Sequence, residues 1–396
     1  MVDSTTAPHF LPSPDEVVPI TATTGSGTMF VYLARGRAEI RHPILLAQGF
    51  QLGPPQRDFY GVFNQHGTAD ALREAGYDVL LFAFDDGGAR IEHNAEVFSA
   101  CLEAVKRRTP RPLVVGGFSM GGLVSRYALA AMERAGLSHQ TRIFLTIDTP
   151  HRGAYTSLAA QWLAQTFAPY SPMAAQVVQS LDAPANQQFV MRWLHDGQAA
   201  ESPLRVRFKE ALERLGGYPR QPLRLAIASG SGDGRRTIDP QASAVLWTGG
   251  ERGCARLWTL PEGEHPAVIA RGQLPSGEPV ELSVSSAVSW EGAPGGQNVY
   301  LEDAASIARS LGSGEVRERI RSSCSVPTVS ALDLDLDPWQ AVPPPGTPLS
   351  PFDDFMCCDS NHDHMRFTEA VRDWLIDRLG PPPQDPNCSA TPPPKE

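Results

Sequence analysis

Gly117-Phe118-Ser119-Met120-Gly121 decides how this chain is read. Before it stands Pro112-Leu113-Val114-Val115, a short apolar run of the kind that forms a buried strand. Behind it, Gly122 leads into Leu123–Glu133, which is rich in helix formers and is stopped by Gly136. A serine between two glycines, where a strand turns into a helix, has the makings of a nucleophile elbow. The turn is tight enough to favour glycine on both sides, and it lifts the hydroxyl clear of the sheet edge. The helix behind the serine then offers free N–H groups and the positive end of its dipole to developing negative charge. Alone, the five residues would read as a glycine-rich turn; the flanking strand and helix give them meaning.

Outward from the elbow, apolar strands alternate with amphipathic helices. Met29–Leu33, Ile44–Ala47, Tyr77–Phe82 and Arg142–Ile147 read as strands. Residues 94–107 have helical spacing, with Ala95, Phe98, Cys101, Leu102 and Val105 on one face. Such alternation predicts a mostly parallel central sheet with helices on both faces and reactive residues at the carboxyl ends of its strands. Two interruptions are expected. Residues 155–217 are helical and apolar, with Trp162, Phe167, Tyr170 and Trp193, and predict a helical cap over the site or extra scaffold helices. Residues 244–290 carry short β-like runs between Gly and Pro turns and predict a small antiparallel β insertion. Residues 1–27 read as an N-terminal arm, 28–380 as the main domain, and 381–396 as a disordered proline-rich tail.

Composition narrows the function classes. The chain has 396 residues, 41% hydrophobic and 20% charged, with a formal net charge of -10. That balance suits a globular protein and argues against nucleic-acid binding, which needs a basic face. No apolar run is long enough to span a bilayer and no signal-peptide pattern is visible, so no membrane insertion and a cytoplasmic location are expected, with secretion left open. The six cysteines, Cys101, Cys254, Cys324, Cys357, Cys358 and Cys388, form no CxxC pair and predict no zinc site. Reduced thiols are expected, although adjacent Cys357 and Cys358 leave a vicinal disulfide open.

A serine hydroxyl is a weak nucleophile until an imidazole takes its proton and a carboxylate orients that imidazole. On a sheet carrying this elbow the chain order is Ser, acid, His. Late in the chain only Asn361-His362-Asp363-His364, followed by a predicted helix over Phe367–Leu379, supplies the imidazole. His364 lies nearer the helix start and is preferred to His362. The same stretch also permits a metal reading, with His362, His364, Asp359 and Asp363 as ligands. Two carboxylates compete as the acid. Asp148 ends the strand after the elbow helix and is held between Ile147 and Pro150, whereas Asp233 follows a later strand within the flexible Ser229–Gly234 stretch. Asp148 is preferred and Asp233 kept as the alternative. Two N–H donors must face the developing oxyanion, and the backbones of Met120 and Phe50 are the candidates.

His42–Phe50, Gly117–Gly122 and Asp148-Thr149-Pro150-His151-Arg152-Gly153-Ala154 together resemble the α/β-hydrolase superfamily, in particular bacterial lipases and esterases. Val326–Leu332, Pro351-Phe352-Asp353 and an Asn-x-x-His ending at Asn361 and His364 resemble a further group of bacterial hydrolases. The resemblance spans roughly residues 28–380. It implies an α/β-hydrolase fold, a carboxylic ester substrate of small-molecule or lipid-like kind, an acyl-enzyme built on Ser119, Asp148 and His364, and no cofactor. It assigns His151 a bracing role. It departs at Gln48, where lipases usually carry histidine. Acyl transfer, thioester or amide cleavage would use the same residues, and an inactive fold serving as a binding module is the reading of another class.

Overall fold

A computed structural model describes residues 12–53, 58–249, 253–312 and 314–383. The chain runs β1 (Glu16–Ala22), β2 (Gly25–Tyr32), β3 (Pro43–Ala47), α1 (Phe59–Phe63), α2 (Thr68–Glu74), β4 (Asp78–Phe84), α3 (Ile91–Lys106), β5 (Leu113–Phe118), α4 (Met120–Arg134) and β6 (Thr141–Ile147). It continues through α5 (Leu158–Phe167), α6 (Pro172–Asp182), α7 (Pro184–Phe189), β7 (Trp193–His195), β8 (Gln198–Ala200), α8 (Pro203–Arg214) and β9 (Leu223–Ser231). Then come β10 (Ser243–Gly249), β11 (Cys254–Trp258), β12 (Gly263–Gln273), β13 (Pro279–Ser286), β14 (Gly295–Asn298), α9 (Tyr300–Ser310) and β15 (Gly314–Glu318). The last elements are β16 (Ser323–Pro327), α10 (Thr328–Ala331), β17 (Asp354–Cys358) and α11 (Glu369–Leu379).

The central sheet has eight strands in the order β1-β2-β4-β3-β5-β6-β9-β17. From β4 onward every pairing is parallel, and β2 joins antiparallel at one edge. This order, with the serine turn after its fifth strand, is that of the α/β-hydrolase fold. β3, β4 and β5 are buried along their whole length, as parallel strands covered on both faces must be. One face packs on α3 and α4 through Phe98, Leu102, Val124 and Leu129; the other holds Phe63, Leu72, Phe367 and Leu375.

Two expectations need correction. The arm expected over 1–27 is no arm from Glu16 onward, because β1 and β2 pair along their full length as an edge hairpin of the main sheet. Alternation of buried and exposed residues in β2, with Met29 and Val31 inward, fixes that register. Residues 1–11 lie outside the described region. The insertion expected over 244–290 reaches further: β15 at 314–318 closes a five-stranded antiparallel sheet, order β13-β12-β11-β10-β15, and α9 packs against it. The tail expected over 381–396 is described only to residue 383, and Cys388 lies outside the described residues. Cys101, Cys254, Cys324, Cys357 and Cys358 are all unpaired thiols.

Candidate active site

β5 ends at Phe118, and the next residue turns the chain sharply into α4. Ser119 has φ 49° and ψ -124°, a left-handed conformation that costs a residue with a side chain about 1–3 kcal/mol. The surroundings hold it there. Its N–H donates to the Ile147 carbonyl at 2.9 Å, and Gly121 sits so close to β3 that a Cβ would lie 2.3 Å from the Ala47 carbonyl oxygen. Phe118 anchors the turn from below by edge-to-face contacts with Phe59 and Phe63.

Asp148 follows β6 directly, again with positive φ (48°), and is fully buried. Its Oδ1 accepts the Ser229 N–H at 3.1 Å and its Oδ2 accepts the Met365 N–H at 3.2 Å. The same Oδ2 lies 2.6 Å from His364 Nδ1, while His364 Nε2 lies 2.8 Å from Ser119 Oγ. A carboxylate can only accept, so Nδ1 carries the proton and Nε2 is left to receive the serine hydroxyl's hydrogen. Room for the carboxylate depends on Gly296, where a Cβ would stand 2.0 Å from Asp148 Oδ2.

The histidine loop is itself clamped. The His364 N–H donates to the Gln297 carbonyl at 2.8 Å, the Gln297 N–H to the His362 carbonyl at 2.9 Å, and the His362 N–H to the Ser229 carbonyl at 3.0 Å. Asn361 Oδ1 accepts from both the Ser231 and Gly295 N–H groups at 3.0 Å. The loop is therefore stitched to the ends of β9 and β14 on either side of the imidazole.

Of the residues singled out in the sequence, Ser119, Asp148 and His364 are brought together and the alternatives are not. Asp233 lies at the surface, bonded to Ser231 Oγ and to the Arg235 N–H, each at 2.9 Å. His362 turns outward to Ser360 Oγ at 3.1 Å and Asp359 at 3.6 Å. The two imidazoles thus diverge, and among the described residues no group of three or more His, Cys, Asp or Glu side chains is placed to hold a metal ion. His151 is half-buried between Arg126 at 3.1 Å and Thr146 Oγ1 at 3.3 Å; desolvation of its ring and the Arg126 charge press its pKa down to about 3, so it stays neutral. Burial also pushes the Cys324 thiol well up, reinforced by the Asp148 carboxylate.

Phe50 and Met120 flank the serine. The loop after β3 passes so near that a Cβ on Gly49 would sit 3.2 Å from Ser119 Cβ. Gln48, standing where histidine is usual, braces this loop through Nε2 to Gln51 Oε1 at 2.6 Å. Neither the Phe50 nor the Met120 N–H donates to a backbone carbonyl among the described residues outside the regular elements. The Phe50 ring meets Phe189 of α7 edge-to-face with centroids 5.6 Å apart.

Ser119 and His364 open into a cavity of about 300 Å³. Phe50, Phe59, Val62, Phe118 and Met365 of the main domain line it, together with Val177, Leu181 and Phe189 of the 155–217 segment. A further set of lining residues was not foreseen from the sequence: Asn298, Tyr300 and Asp303, at the end of β14 and the start of α9, with Ser325 of β16. Their only sequence signal is an acidic first turn, Glu302-Asp303, after a β-like run.

No family model and no curated protein matches the chain. Solved structures do. A Bacillus licheniformis lipase, BlEst2 in its propeptide form, aligns over 80% of this chain and 86% of its own, at 11% identity and a TM-score of 0.36. EstE1, a thermophilic carboxylesterase cloned from a metagenomic library, aligns over 55% of this chain and 70% of its own, at 16% identity and TM-score 0.34. XC6422 of Xanthomonas campestris, an α/β serine hydrolase without a lid, is similar over 36% of this chain and 64% of its own, at 22% identity and TM-score 0.27.

Proposed function

We propose that the protein is a serine hydrolase that cleaves carboxylic esters through an acyl-enzyme. One observation carries this reading: an unbroken line of hydrogen bonds, 2.6 Å and 2.8 Å long, from a buried carboxylate through an imidazole to a serine hydroxyl at the mouth of an apolar cavity. Ser119 Oγ attacks the ester carbonyl while His364 Nε2 takes its proton. Asp148 keeps the imidazole in the one tautomer that can do so and stabilises the imidazolium as it forms. The Phe50 and Met120 N–H groups receive the oxyanion, each donor contributing about 3 kcal/mol to the transition state. His364 then returns its proton to the leaving alkoxide, and a water activated by the same imidazole releases the acid. The cavity, at the small end of ligand pockets, suits a compact acyl or alcohol group.

Replacement of Ser119 by alanine tests the reading directly. Turnover of p-nitrophenyl acetate should fall by at least about 10³-fold, with labelling by a fluorophosphonate probe abolished. Retained hydrolysis in Ser119→Ala would remove the serine mechanism.

A further inference from the structure

The cavity lining is rich in aromatic residues and carries a single carboxylate. Phe50, Phe59, Phe118 and Tyr300 present rings to the cavity, and Asp303 in the first turn of α9 presents a carboxylate. Asp303 is exposed there and, among the described residues, its side chain has no hydrogen-bond or ion-pair partner. Its neighbour Glu302 differs, being bonded to Arg321 at 2.7 Å. Partial desolvation, with Glu302 adding, raises the Asp303 pKa, the direction expected of a carboxylate that no cation balances. Tyr300 is held in place by Asn298 Nδ2 at 2.9 Å and Ser325 Oγ at 3.0 Å from its hydroxyl. Beside Asp303 the cavity borders a narrower cleft between α5, α6 and α9, reached past Val177 and Leu181.

Aromatic faces beside an unbalanced carboxylate are the chemistry that recognises an organic cation: rings attract it through their quadrupole, and the carboxylate through its charge. A triglyceride or a plain alkyl ester would leave Asp303 partly desolvated with nothing in return. The protein's net charge of -10 further favours approach of positive ligands. Resting on the esterase reading above, we infer that Asp303 is a specificity-determining residue that selects esters bearing an ammonium group, in which the cation lodges between Asp303 and the Tyr300 ring while the carbonyl faces Ser119.

The test compares charged and uncharged esters of the same shape. One pair places the charge in the alcohol, butyrylcholine against 3,3-dimethylbutyl butyrate; the other places it in the acyl group, p-nitrophenyl 4-(trimethylammonio)butanoate against p-nitrophenyl 5,5-dimethylhexanoate. The wild type should favour the charged member of at least one pair in kcat/KM. Asp303→Asn should lower that preference about five- to tenfold, mostly through KM, and added salt should lower it in the wild type. A preference unchanged by Asp303→Asn, or wild-type preference for the neutral member of both pairs, overturns the inference while leaving the esterase reading intact. No turnover of any of the four esters would remove both.

Discussion

At the scale of single residues, the site turns on which carboxylate reaches the imidazole. Asp148 is fully buried, accepts two backbone N–H bonds and lies 2.6 Å from His364 Nδ1. Asp233 is tied to its own loop, and the Arg235 N–H, with the Ser231 hydroxyl, holds its carboxyl below the usual range. The two were close to indistinguishable in the sequence, since both follow a strand. What separates them is backbone position: Asp148 stands on the first residue after a buried strand, with its N–H on the Ile227 carbonyl at 2.7 Å. Asp148→Asn should cut kcat by roughly 10³–10⁴-fold, because an amide holds the wrong tautomer of the histidine. Asp233→Asn should leave kcat within about twofold of the wild type. Steady-state kinetics on one p-nitrophenyl ester decides it, and equal damage from both would undo the assignment.

At the scale of elements, the geometry depends on how the loop carrying His364 is fastened. Asn361 Oδ1 takes two N–H groups from segments far apart in sequence, at the ends of β9 and β14. Asn361→Ala leaves both donors without that acceptor, at a cost of about 1–3 kcal/mol in stability if they stay buried. It also frees the loop that aims the imidazole, so kcat should drop about tenfold with KM little changed. Asn361→Asp keeps an acceptor oxygen and should restore much of kcat; failure of this rescue, or a loss confined to KM, would deny Asn361 a positioning role. The elbow, its strand and its helix were legible because every residue involved lies within about twenty positions, where strand and helix periods speak directly. The part of the cavity lining that α9 supplies was not. Tyr300 and Asp303 stand on α9, which packs on the second sheet beside β15, and β15 joins that sheet by a pairing between residues 245–249 and 314–318 that no local pattern announces. β1 was missed for a related reason: polar Thr21, Thr23 and Thr24 around a short turn read as loose until pairing with β2 supplies the register.

At the scale of the whole molecule, two desolvated titratable groups, one joining the second sheet to the main domain and one within the main domain, set how stability should follow pH. Glu291, in the turn before β14, is fully buried, accepting from the Tyr155 hydroxyl at 3.1 Å and from the Leu260 N–H at 3.2 Å. It thereby joins the segment after β6 to the second sheet. Burial pushes its pKa from 4.5 up to about 7. Between those values the folded chain holds a proton that the unfolded chain has released, so Glu291's contribution to stability falls as pH rises through this window, by on the order of 3 kcal/mol once both forms are ionised. His151 works in the opposite sense. Its pKa is lowered from 6.5 to about 3, so the unfolded chain binds a proton that the folded chain refuses, and stability is lost as pH falls below 6.5. The wild type alone would show the two effects superimposed. Glu291→Gln removes one of them, because a neutral amide has nothing to ionise. The difference in unfolding free energy between this variant and the wild type, read from urea titrations at pH 5, 6, 7 and 8, should therefore tilt toward the variant as pH rises and level off above about pH 7. A difference that is flat across the series would mean that Glu291 ionises at its ordinary pKa, and that the joint between the second sheet and the main domain admits water.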